Sequence, residues 1–211
     1  MRIDVVIYDG FDDLDALGPY ELLRHAARWT ADGDWDVALV GSRTAGRVTS
    51  AHGVRYEVEQ VLGEGRPDGV VVPGGGWHAP GSGARAESEG GLPARLVELA
   101  RRARWTASVC TGAMILARAG MLAGRPATTH PTAFDDLAAA GASVRPEERV
   151  VDDGDVLTAG GVISGLDLAL RIIEREIGAD AATGVAEHVR YVRPERSRPG
   201  DRRGDPAAQR Q

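Results

Sequence analysis

Cysteine occurs once in the 211 residues, at position 110, and lysine is missing altogether, so all 25 basic residues are arginine. A lone thiol cannot close an intramolecular disulfide. The chain is therefore not a disulfide-stapled secreted scaffold, and a cytoplasmic, reducing setting is expected. Aromatic residues make up only 5%, so the core has to be aliphatic and rich in alanine. No apolar run approaches the ~20 residues that cross a bilayer. The opening MRIDVVIYDG enters a strand pattern directly, without the basic leader and cleavage site of a signal peptide. A net charge of −6 denies the chain the basic footprint on which non-specific nucleic-acid binding depends. The five histidines show no H-x-x-x-H spacing and the cysteine no C-x-x-C partner, so no metal site is expected. Neither a G-x-G-x-x-G fingerprint nor a P-loop is present, and no cofactor is expected.

What is present is alternation. Residues 3–8, 35–40, 69–73 and 105–109 read as apolar strands. Helical stripes separate or follow them: Ala16, Tyr20, Leu23 and Ala27; Leu92, Leu96, Leu99 and Ala103; and a run from Thr111 to Ala119. Residues 48–58 have room for a short hairpin, and 148–158 read as a strand pair around the dipeptide Asp153-Gly154. Gly160-Gly161 opens a helix striped by Leu166, Leu170, Ile173 and Ile177, and a last helix covers about residues 180–191. Residues 81–91, rich in glycine and charge, read as a surface loop. Such alternation predicts an α/β sandwich with a mostly parallel central sheet. The length suits one domain over 1–192, and 193–211 has almost nothing to bury and reads as a disordered tail.

In open sheets of this kind, ligands bind beyond the carboxyl ends of the strands. Three segments fall at such ends: Asp12 to Asp15, Gly74 to Gly76, and Cys110. A strand that stops at Cys110 and turns at once into a helix lifts the side chain above the sheet, as a nucleophile elbow does. The first N–H groups of that helix, Thr111 and Gly112, carry positive partial charge, which predicts a lowered thiol pKa. Thr111 N–H and the backbone of Gly75 and Gly76 are candidate donors to a developing anion. A buried structural cysteine is the alternative, and the coincidence of strand end, helix start and glycine loop favours the nucleophile. Asp12 and Asp13 read as solvated. Asp15, flanked by Leu14, Ala16 and Leu17, is either a helix N-cap or a functional carboxylate; beside Cys110 it would move protons, with a pKa raised by desolvation. His130, in ATTHPTAF, is a second proton-transfer candidate or a structural histidine at a helix start, and His78 is a candidate pocket residue.

The segments LDALGPYELL, VVVPGGG, SVCTGAMILARAGMLAGRPATTHP and TAGGVISGLDLAL together resemble the ThiJ/PfpI superfamily, relatives of the class I glutamine amidotransferases. That resemblance implies a flavodoxin-like three-layer sandwich and a homodimer built around the first helix and cysteine-side elements. Within the superfamily, L-D-x-x-G-P and S-V-C-T-G are most similar to the isonitrile hydratases. This implies Asp15 as the acid, Cys110 as the nucleophile, Thr111 in the site, and a small-molecule isocyanide as substrate. Pro131 departs from that subfamily, in which an aromatic residue follows T-T-H. A cysteine-dependent glyoxalase or amidase using His130, and a redox-sensing or ligand-binding module without turnover, remain the other readings.

Overall fold

The computed structural model describes residues 1–30 and 34–194. Its strands, in chain order, are β1 (Arg2–Ile7), β2 (Asp36–Gly41), β3 (Gly46–Thr49), β4 (Arg55–Val58), β5 (Gly69–Val72), β6 (Trp105–Val109), β7 (Pro126–Ala127), β8 (Ser143–Val144), β9 (Val150–Asp153) and β10 (Val156–Ala159). Its helices are α1 (Asp13–Ala26), α2 (Gly83–Glu89), α3 (Leu92–Ala100), α4 (Gly112–Arg118), α5 (Phe134–Ala139), α6 (Ser164–Glu176) and α7 (Ala179–His188).

The β-branched runs of β1, β5 and β6 are buried along almost their whole length. Such strands survive only where helices cover both faces of a sheet. They form the centre of a six-stranded sheet ordered β2-β1-β5-β6-β10-β9. Every neighbouring pair is parallel except β10 with the edge strand β9. Helices α1, α6 and α7 pack on one face, and α2, α3, α4 and α5 on the other. The chain order of the sheet reverses between β1 and β5, and such a reversal opens the crevice in which doubly wound sheets bind ligands. The short antiparallel pair β3-β4 lies over the end of β1. This is the flavodoxin-like sandwich expected from the resemblance, with the strands and most helices where the apolar pattern places them.

Three expectations change. Residues 81–91 are not an irregular loop, because α2 lies inside them and buries Gly83, Ala84, Glu87 and Ser88. Good helix formers between the flanking glycines outweigh the loop signal. The hairpin turn falls one residue later than expected: Asp153 pairs with Val156, so Gly154 and Asp155 form the loop, with Gly154 at φ +81°. The last helix ends at His188, three residues short of the expected end. Of the expected tail, Arg193 and Pro194 are exposed, and residues 195–211 lie outside the described residues. No helix among the described residues is long and apolar enough to cross a membrane.

Candidate active site

Cys110 closes β6 in a left-handed backbone conformation, φ +57°. That region disfavours a residue with a Cβ by roughly 1–2 kcal/mol, so neighbours have to hold it. They do so from two sides: the Cys110 N–H donates to the Ala159 carbonyl (3.0 Å), and the Cys110 carbonyl accepts from the buried Thr129 hydroxyl (2.9 Å). The helix that follows can begin at once because Gly112 has no side chain. A Cβ there would lie 2.3 Å from the Val72 carbonyl oxygen and 2.7 Å from that of Pro73. The sharp turn expected at the strand-to-helix corner is therefore real, and it leaves the thiol only 7% exposed.

Asp15 comes to this corner from α1. Its N-cap reading falls, because the cap is Asp12, whose carboxylate accepts from the Leu14 N–H. Asp15 sits in the first helical turn and is fully buried. Its Oδ2 accepts the Gly74 N–H at 3.0 Å, while Oδ1 is buried with no hydrogen-bond partner among the described residues. Gly74 is the meeting point of the three segments: a Cβ on it would stand 2.7 Å from Thr111 N, 2.7 Å from Thr111 Oγ1 and 2.8 Å from Asp15 Oδ2. Asp13 is not a solvated acid either. It accepts from the Tyr56 hydroxyl (2.6 Å) and pairs with His52 Nδ1 (3.1 Å), which ties α1 to β4 and the turn before it.

Electrostatics overturn one expectation. The Cys110 thiol is pushed up from its ordinary value, not down. Burial is the main cause and the Asp15 charge adds to it; the Thr111 N–H acts in the opposite direction without prevailing. The helix start is present, but α4 is short and the sulfur too deep for it to dominate. Asp15 is raised to about 7, first by burial and then by the Asp12 charge, against the pull of the Gly74 N–H and the thiol. At neutral pH the pair is thus a thiol beside a carboxyl group that is near its midpoint. Such an acid both accepts and returns a proton with little driving force either way.

The glycine loop is wired to Thr111. The Thr111 hydroxyl accepts the Gly75 N–H (3.0 Å) and donates to the Gly75 carbonyl (2.6 Å). Gly75 is therefore a structural partner rather than a free anion donor. Gly76 is exposed, but the antiparallel bridge between Phe11 and Gly75 turns its N–H toward the Gly10 carbonyl, which leaves the Thr111 N–H as the candidate donor to an anion. His130 is not joined to Cys110. It caps the short turn Pro131–Ala133, with Nδ1 taken by the Thr132 hydroxyl (2.9 Å) and backbone N–H (3.4 Å). His78 Nε2 lies 3.0 Å from the Thr132 carbonyl, and Trp77 Nε1 donates to Asp136 at 2.6 Å. The loop after β5 is thereby stapled to the segment after His130, forming a wall rather than supplying proton donors. Among the described residues no group of three or more His, Cys, Asp or Glu is placed to hold a metal ion. Tyr8, which strand periodicity marks only as apolar, also belongs here: its buried hydroxyl donates to the carbonyls of Pro73 (2.6 Å) and Gly74 (3.0 Å).

Comparison with known proteins shows the family. Residues 1–175 match the model of the DJ-1/PfpI family. The chain is 33% identical over 194 residues to an isonitrile hydratase from Pseudomonas putida, covering 91% of this chain and 79% of that protein. It is 31% identical over 159 residues to a deglycase from Pyrococcus abyssi, covering 72% and 86%. A crystal structure of a ThiJ/PfpI family protein from Pseudomonas syringae superposes with a TM-score of 0.77 at 28% identity, over 93% of this chain and 77% of that one.

Proposed function

The chain belongs to the DJ-1/PfpI family, and within it we propose that it hydrates isocyanides to N-substituted formamides. The observation that carries this reading is the fully buried Asp15, raised to about 7 and placed beside the Cys110 thiol. An isocyanide carbon needs a nucleophile and a proton at the same atom, and this pair holds both. Similarity to the Pseudomonas putida isonitrile hydratase points the same way.

Cys110 adds to the terminal carbon as its proton passes to Asp15, and Asp15 delivers that proton to the carbon. The product is a thioimidate, in which carbon is bonded to sulfur and hydrogen and doubly bonded to nitrogen. Asp15 next takes a proton from water as the hydroxyl adds to this carbon, and passes that proton to the nitrogen. The carbon–sulfur bond then breaks as the hydroxyl's proton travels through Asp15 to the sulfur, and the formamide leaves. The net change is the addition of one water. The Thr111 N–H stabilises charge as it develops, and Thr111 Oγ1 holds the glycine loop beside it. Because the thiol is not ionised at rest, Asp15 generates the nucleophile during attack instead of finding it ready.

The homodimer belongs to the same proposal, with Leu14 and Ile163, exposed at the starts of α1 and α6, in the shared face. The test is direct detection of formamide from cyclohexyl and aryl isocyanides. Wild type should turn over. Cys110→Ala should be inactive, and Asp15→Asn should fall by about 10²–10⁴, the usual worth of general acid–base help. His130→Ala should keep most of the activity; a loss equal to that of Cys110→Ala would favour the glyoxalase or amidase chemistry instead. Turnover undiminished in Cys110→Ala would overturn the proposal.

A further inference from the structure

Tyr8 stands just past the end of β1, 2% exposed, directly behind the glycine loop. A packing role asks only for its ring, which meets Phe11 edge-on at 6.4 Å between centroids. The hydroxyl does something more specific. It addresses two consecutive peptide units, donating to Pro73 O at 2.6 Å and to Gly74 O at 3.0 Å.

In a trans peptide the carbonyl and the next residue's N–H point from opposite edges of one plane, and no cis bond occurs among the described residues. The Pro73 carbonyl and the Gly74 N–H are the two ends of one such unit, and that N–H donates to Asp15 Oδ2. The next unit runs from the Gly74 carbonyl, which also accepts the Asp12 N–H at 3.0 Å, to the Gly75 N–H, which ends on Thr111 Oγ1. A donor on a carbonyl oxygen draws electron density toward it and makes the N–H at the other end a better donor. Chains of hydrogen bonds strengthen one another in this way by about 10–30% per bond.

We propose that Tyr8 is a positioning residue for the Asp15–Cys110 pair: its hydroxyl orients and polarises the Pro73–Gly74 peptide so that the Gly74 N–H stabilises the ionised form of Asp15. The inference rests on the reading of Cys110 and Asp15 as the reacting pair. Its consequence is that Tyr8, without touching substrate, sets the pH at which Asp15 becomes a base. The ionisable groups facing Asp15 are Asp12 from its own loop and Cys110 from the β6–α4 corner; Glu87 of α2 acts on Tyr8 from the other side. Tyr8 itself is pushed well above its ordinary value by burial and then by Asp15. It therefore stays a neutral donor throughout the working pH range.

The test titrates the Asp15 carboxyl by its protonated C=O infrared band, identified as the band lost in Asp15→Asn. Tyr8→Phe keeps the ring and removes the donor. Its Asp15 midpoint should lie above that of wild type, with the carboxyl's proton affinity raised about threefold or more, and kcat should fall about twofold or more near neutral pH, recover at higher pH, and leave KM little changed. Site-specific 3-fluorotyrosine at position 8, a stronger donor of the same shape, should move the midpoint downward, and it serves if Tyr8→Phe does not fold. A midpoint unchanged in the folded Tyr8→Phe protein, or in the fluorotyrosine protein, overturns the inference. The infrared titration needs no substrate. If wild type forms no formamide yet the midpoint follows position 8, the hydratase reading fails and the role of Tyr8 stands.

Discussion

The buried carboxyl of Asp15 costs the fold stability once it ionises. A carboxyl that titrates at about 7 when folded, against an ordinary 3.8, binds its proton more tightly in the native state than in the unfolded chain. Its favourable contribution is complete below about pH 4 and is lost as pH rises through about 7. Each unit of displacement corresponds to about 1.4 kcal/mol. Asp15→Asn keeps an oxygen for the Gly74 N–H and carries no charge. It should therefore melt above wild type near pH 8 by up to a few kcal/mol and converge with it near pH 4, as thermal unfolding across that range will show. Cys110 carries a second local strain through its positive φ. Cys110→Gly should accordingly be more stable than Cys110→Ala by about 1 kcal/mol, although both lack the thiol. Comparing their denaturant midpoints isolates the backbone term from the loss of sulfur.

At the scale of elements, the corner between β6 and α4 depends on how closely the helix start can approach the end of β5. Gly112→Ala places a methyl group 2.3 Å from the Val72 carbonyl, a backbone atom that cannot swing aside. The helix has to retreat and take Thr111 and the elbow with it. A loss of about 2 kcal/mol or more in stability is expected, together with at least a tenfold fall in turnover, because a 1 Å misplacement of reacting groups is that damaging. Urea unfolding and formamide assays on the same preparation will separate the two effects. This corner was legible in the sequence because its signals are local: an apolar strand that stops, a glycine two residues on, a glycine run at another strand end. The three-way meeting at Gly74 followed from the rule that strand ends converge. Tyr8 was not legible, since its carbonyl partners lie 65 and 66 residues away and period-two reading counts it only as apolar. Nor was the direction of the thiol shift, since depth of burial is a property of the packed molecule and a helix start by itself argues the other way. Helix α2 was hidden because glycines at both its ends outweighed the alanines and glutamates between them.

For the whole molecule, the sheet order places every chemical group on one side. The ends of β1, β5 and β6 all face the crevice where the chain reverses direction across the sheet, so α1, the glycine loop and the β6–α4 corner bring Asp15, Gly74 and Cys110 to one place. The opposite ends carry ion pairs instead, such as Arg125 with Asp153 and Asp155, which close the edge hairpin against unwanted strand pairing. Near the chemical side, Leu14 is 40% exposed and Ile163 48%. Leu14 and Leu166 are neighbours there, both within 4 Å of a Cβ built on Gly18. Apolar side chains gathered beside a site are more often an interface than a solvated surface. A second copy seated there would cover the first turn of α1 and with it the approach to Asp15. The 22.3 kDa chain should then sediment at twice that mass at micromolar concentration. Leu14→Arg combined with Ile163→Arg should return it to a monomer that melts with the native cooperativity of a folded domain. Cys110 should be alkylated by iodoacetamide several-fold faster in that monomer than in the dimer, because the covering copy is gone. Sedimentation of wild type as a monomer, or alkylation equal in the two forms, would show that this face is free and that the chain screens its own thiol by depth alone.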